Sequence, residues 1–237
     1  MHAVHFEAPL PGGSQTPTPG DPELRRPPPE PIVNAPWPVV TLTVAIVGLY
    51  FLQTRFPFVA DLLAFSPHDL LRGRYEGLIT SQFLHGGWPH ALMNAAFVLA
   101  FGAPVARFFG PRPGGVTAFF LLYLVCGVLA ALGFAAFHWG QYAPMVGASG
   151  AASGLMGAAA RLLGGPNANG GRVGPLLSQP VTGMGLAWIV INLILAFTGG
   201  AFMPGAGEAG VAWEAHLAGF AAGVLLIGPV GWLAGRR

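Results

Sequence analysis

The sequence predicts an all-α polytopic membrane protein, a bundle of six membrane-spanning helices with a long, partly interfacial first loop. Three observations predict it. Charged residues make up only 8% of the 237-residue chain and hydrophobic residues 53%, with mean hydropathy +0.59, whereas soluble domains carry about 25% charged residues. Six apolar segments recur along the chain. Arginines cluster on alternate links between them. The net charge of +2 is too small for a nucleic-acid surface. The lone Cys126 excludes an internal disulfide.

Residues 1–36 hold ten of the 23 prolines and no long apolar run. They read as a disordered or polyproline-like tail, without the basic start and apolar core of a signal peptide. The remainder, 37–237, is the six-span domain. Its apolar segments are 35–51, 88–109, 116–137, 146–163, 181–200 and 211–234, set against the roughly 20 residues that a helix needs to cross a bilayer. The first and fourth are short. The fourth is also rich in Gly, Ala and Ser, so it is a credible span only when buried among other helices.

The arginines give the topology. Arg25 and Arg26 precede the first segment, Arg107 and Arg112 flank the second link, Arg161 and Arg172 flank the fourth, and Arg236 and Arg237 end the chain. The third and fifth links have none, which predicts cytoplasmic N- and C-termini. The first link, 52–87, also contains Arg55, Arg72 and Arg74, balanced by Asp61, Asp69 and Glu76. Its Phe56, Phe58, Phe65 and Tyr75 predict that it lies partly in the membrane interface.

With that topology, the second, fourth and sixth segments begin on the outer side. Each carries unusual polar residues there: His85, His90 and Asn94; Ser149; and His216. Polar groups in a bilayer are costly and default to functional candidates. A serine needs a nearby base to become a nucleophile, and His216 is the best candidate. Gly219 and Gly223 on its helix could press against Gly150 and Gly154 beside Ser149. His90 and Asn94, four apart, share a helix face and can donate hydrogen bonds to a developing oxyanion, as can the Ser149 backbone N–H. His85 precedes Pro89 and is expected to hold the preceding loop, off the face of His90. No third acid is apparent, since Glu214 lies two residues from His216, so a serine–histidine dyad is expected. Ser153 is the second-choice nucleophile, Cys126 reads as packing, and His138 as an interfacial residue. The His-Glu-x-x-His pattern of zinc proteolysis is absent, as is a pair of membrane carboxylates. No metal or cofactor is expected.

Three motifs together resemble the rhomboid family of intramembrane serine proteases. Gly147-Ala148-Ser149-Gly150 is similar to its GxSG motif, Ala215-His216-Leu217-Ala218-Gly219 to its AHxxG motif, and His85, His90 and Asn94 to its second-helix pattern. The resemblance covers the six-span core. It implies Ser149 as nucleophile, His216 as general base, His90 and Asn94 as oxyanion donors and His85 as a structural residue. It also implies cleavage of membrane-anchored protein substrates near the outer membrane face without a cofactor. Glu76-Gly77 stands where many members have Trp-Arg. Ser153 stands where some carry an aromatic stacked on the histidine, so His216 needs another neighbour. A rhomboid-like protein that binds or chaperones membrane proteins without catalysis typically lacks the serine or the histidine, and this chain keeps both. Transporters often show inverted repeats and a midplane site, whereas no repeat is visible here and the polar residues sit near one surface. The bias toward Ala, Gly, Pro and Arg suggests a bacterial cytoplasmic membrane.

Overall fold

The computed structural model describes residues 35–166, 171–199 and 210–236. The expected tail falls outside them except for Ala35 and Pro36, as does most of the link between the last two helices. The described residues form only helices and loops, apart from an isolated bridge between Phe65 and Met145. The helices are α1 (Trp37–Gln53), α2 (Phe58–Leu63), α3 (Pro67–Leu70), α4 (Gly77–Thr80), α5 (Trp88–Phe109), α6 (Pro113–Phe137), α7 (Ser149–Leu163), α8 (Gln179–Phe197) and α9 (Trp213–Leu233). Proline stands in the first turn of α1, α5, α6 and α8, where its missing N–H has no intrahelical acceptor to lose.

Four helices, α5, α6, α8 and α9, are long and apolar enough to cross a membrane. The expected first and fourth spans are shorter, at 17 residues for α1 and 15 for α7. At about 1.5 Å per residue, α7 falls short of a hydrocarbon core of roughly 30 Å. Its surroundings explain the length. Twelve of its residues are buried by other helices, so its solvent is protein and bilayer thickness does not set its span. Its start also differs from the expected 146. Gly147 has φ 129°, outside helical geometry, and the helix begins two residues later at Ser149.

α7 packs along α9 through backbone. A Cβ on Gly219 would overlap the Gly150 carbonyl, and one on Gly223 would overlap the Gly154 carbonyl. Only glycine allows that approach. Cys126 on α6 fills the space beside Gly154, which is the packing role expected of it. The buried centre is completed by Phe119, Leu122, Leu155 and Ile227. The arginine-bearing ends are tied together: Arg161 donates to the Gly174 and Val224 carbonyls at 3.0 and 2.7 Å, and Arg236 donates to the Phe108 and Arg107 carbonyls.

The first link folds into α2, α3, α4 and a 3₁₀ turn, Ser81–Phe83. Phe56, Phe58 and Tyr75 are exposed, but Phe65 is buried. The interfacial reading of Phe65 is therefore corrected. Its backbone pairs with Met145 in both directions, at 3.1 and 2.7 Å, and its side chain joins a buried cluster that includes Ala130, Ala131 and Phe134 of α6. Gly77 explains how the link closes without the Trp-Arg pair. A Cβ there would stand 2.9 Å from the Ala64 carbonyl oxygen, so glycine admits the Ala64–Phe65 backbone over α4. Arg74 bonds Glu76 at 3.1 Å and Asp69 at 3.4 Å on the exposed side; such exposed pairs contribute little to stability.

Candidate active site

Ser149 is the first residue of α7. Its N–H is therefore among the four that find no acceptor within their own helix. Its hydroxyl lies 2.8 Å from Nε2 of His216, in the first turns of α9. The glycine seam accounts for the approach, because it brings the α7 and α9 backbones together at Gly150, next to Ser149, and Gly219, three residues after His216. Ser153, the second-choice nucleophile, instead donates its hydroxyl to the Ser149 carbonyl at 2.7 Å and is buried.

Sequence reasoning missed two neighbours of His216, both on α8. Asn192 places Oδ1 2.7 Å from His216 Nδ1 and donates its Nδ2 to the Trp188 carbonyl at 2.8 Å. The Trp188 ring lies beside the imidazole, with centroids 5.7 Å apart and an interplanar angle of 35°, and also neighbours the ring of Phe97 of α5 at 5.9 Å. It supplies the aromatic neighbour that Ser153 does not. The group that meets Nδ1 is an amide rather than a carboxylate. Glu214 faces away from His216, as its spacing predicts, and bonds His138 Nε2 at 3.0 Å. His138, which caps the end of α6, is thus a partner of Glu214.

His90 and Asn94 stand one turn apart on α5 and converge on Gly147. A Cβ on Gly147 would meet His90 Nε2 at 2.8 Å and Asn94 Nδ2 at 3.6 Å. Glycine is required there twice, by the positive φ and by this approach. The N–H of Gly86 donates to His90 Nδ1 at 3.4 Å, so the proton of neutral His90 sits on Nε2, facing the site. Asn94 Nδ2 is buried with no hydrogen-bond partner. Buried amide N–H groups rarely stay unpaired, and this one lies beside Gly147, two residues before Ser149.

His85 lies in the loop before α5, as expected. Gln53 of α1 holds that loop reciprocally, donating to the His85 carbonyl at 2.8 Å and accepting from its N–H at 3.0 Å. The loop nevertheless turns the His85 ring onto His90, with centroids 5.2 Å apart. The expected angular separation holds only for two residues on one helix. Burial, followed by the neighbouring His90, pushes the His85 imidazole down to about 3, so it is neutral at ordinary pH.

Ser149, His216 and His90 border one cavity of about 680 Å³, whose walls also include Met93, Met145 and Phe134. Among the described residues, no three His, Cys, Asp or Glu side chains converge as metal ligands would. The arrangement can therefore transfer a proton from a hydroxyl to an imidazole beside a set of inward-aimed donors.

Comparison with known proteins agrees with this architecture. The Rhomboid domain model matches residues 72–233. This chain belongs to the rhomboid family, whose members are in general intramembrane serine proteases. A stretch of 47 residues is 45% identical to Rhomboid-like protein 16, chloroplastic, of Arabidopsis thaliana. That stretch covers 20% of this chain and 15% of the plant protein.

Proposed function

We propose that this protein is an intramembrane serine endopeptidase that cuts a peptide bond in or near the membrane segment of anchored protein substrates. The 2.8 Å contact between Ser149 Oγ and His216 Nε2 carries the reading. Ser149 Oγ attacks the scissile carbonyl while His216 Nε2 takes its proton. The oxyanion is met by His90 Nε2–H, Asn94 Nδ2–H and the Ser149 N–H. His216 then gives its proton to the leaving amine, and an acyl–Ser149 ester remains. Water attacks that ester, His216 takes the water proton, and the serine hydroxyl is restored. The proton that leaves Ser149 departs with the amine, and the one that His216 takes from water is passed to Ser149 Oγ as the ester breaks, so the enzyme is restored with one water consumed and no cofactor entering.

The arginine pattern supports six crossings with both termini cytoplasmic and a site near the outer face. Water reaches polar groups there while the bundle excludes lipid. A substrate helix must unwind to be cut, which favours substrates with helix-weakening Gly or Pro near the scissile bond. A bacterial cytoplasmic membrane fits the composition, although the plant relative's name places that protein in the chloroplast.

The test is cleavage of a single-span substrate in liposomes. Ser149→Ala and His216→Ala should abolish it, and a chelator should leave it unchanged. His90→Ala and Asn94→Ala should each lower kcat by about 10²–10³-fold with little change in KM. Cleavage surviving Ser149→Ala would overturn the assignment. Inactivity of the wild type across a substrate panel would favour a non-catalytic binder of membrane proteins.

A further inference from the structure

Asn192 is the one polar residue among the four buried on α8, and it is fully enclosed. A buried amide in a membrane helix is costly unless its hydrogen bonds are made. Its two ends are not interchangeable here. The Trp188 carbonyl can only accept, so the group 2.8 Å from it must be the amide nitrogen. The oxygen then faces His216 Nδ1 at 2.7 Å, and that nitrogen must donate. A neutral imidazole carries one proton. With Nδ1–H committed to Asn192, Nε2 presents its lone pair to the Ser149 hydroxyl.

We infer that Asn192 is a positioning residue that fixes the tautomer and orientation of His216, completing a Ser149–His216–Asn192 triad with a neutral third member. This rests on the protease reading above. An amide cannot take a proton from the imidazole, so it acts by orientation and by its carbonyl dipole when Nε2 becomes protonated. An asparagine serving only to join α8 to α9 could bond any group on α9. This one bonds the single atom whose protonation decides whether His216 can act as a base.

The experiment compares the wild type with Asn192→Ala, Asn192→Leu and Asn192→Asp, each reconstituted at full length. It measures kcat and KM on a single-span substrate, the rate at which a fluorophosphonate labels Ser149, and thermal unfolding. Asn192→Ala and Asn192→Leu should lose about 10- to 100-fold in kcat and in labelling rate, with KM nearly unchanged. Asn192→Asp still offers an acceptor oxygen and should retain most of both rates. Asn192→Ala labelled at the wild-type rate, or Asn192→Asp as impaired as Asn192→Ala, overturns the inference. If Asn192→Leu fails to fold, the other two variants still decide. A wild type not labelled at Ser149 overturns the protease reading, and the inference falls with it. A labelled wild type equalled by Asn192→Ala overturns the inference alone.

Discussion

His216 is held from two sides by different physics. On the α7 side, backbone meets backbone: Gly150 and Gly154 receive Gly219 and Gly223 with no side chain between them. On the α8 side, side chains reach across: the ring of Trp188 and the amide of Asn192. The two helices also differ in burial. α7 is enclosed nearly throughout. α8 has only 22% of its most apolar stretch buried, against 39%, 50% and 56% for the other three long helices. The seam sets where the α9 backbone runs relative to Ser149, a constraint measured in fractions of an ångström. The α8 contacts set only the rotation and tautomer of one ring, so they leave the rest of that helix free to face outward.

The sharpest way to break this contrast is at the seam. Gly223→Ala places a methyl group against the Gly154 carbonyl, where there is no room. Overpacking of this kind costs about 1–3 kcal/mol. If α9 shifts to relieve it, a displacement of about 1 Å at the site lowers the rate roughly 10²-fold. Cleavage and thermal unfolding measured on the same preparation should both fall. Wild-type activity in Gly223→Ala would show that the seam does not position His216.

The two sides also differed in how legible they were. The seam is written as small residues at helical spacing, flanking a serine in one segment and a histidine in the other. That pattern was readable because close backbone approach has a compositional requirement. The convergence of His90 and Asn94 followed from their spacing on one helix. The α8 side left no such trace. One Asn and one Trp in an apolar span have no spacing partner, and their relation to His216 crosses 24 residues for Asn192. The third member of such a site is ordinarily an acid, and an amide in an apolar span carries no comparable signal. The burial of Phe65 is hidden in the sequence for a related reason. Its aromatic neighbours in the link suggested an interfacial segment, and the sequence holds no sign of the pairing with Met145 that carries it inward. The length of α7 was obscured because an apolar run does not show whether its surroundings are lipid or protein.

A smaller effect is expected on the α8 side. Trp188→Leu keeps an apolar neighbour but removes the ring beside the imidazole and its contact with Phe97. Such ring pairs contribute about 0.5–1.5 kcal/mol beyond area burial, so kcat should fall by several-fold to about tenfold. KM and the unfolding temperature should move much less. A loss as large as that of Gly223→Ala would erase the distinction between placing the backbone and orienting the ring.

Acid provides a test outside both regions. His85 has its imidazole pushed down to about 3 in the fold, against about 6.5 unfolded. The unfolded chain therefore binds more protons between those values. Stability should be fully present above pH 6.5 and decline as pH falls toward 3, by at most about 1.4 kcal/mol per pH unit. His85→Gln cannot take up that proton, so its unfolding temperature should fall less steeply with acid than that of the wild type. Equal slopes would show that His85 is not shielded.

The smallest effect closes the comparison because it uses the same chemical change as the largest. Gly183 lies on the exposed face of α8, and a Cβ there meets nothing within 4 Å. Alanine should therefore restrict the unfolded chain and favour the helix without a clash, raising stability by roughly 0.5–1 kcal/mol. Activity should be unchanged, since no contact to His216 passes through that face. One methyl group thus stabilises on α8 and destabilises on α9, and the sign is set by whether the glycine faces a neighbouring backbone. Measured unfolding of Gly183→Ala beside Gly223→Ala tests that directly. Two losses of similar size would mean that α8 packs as closely as the seam and that its outward face is not free.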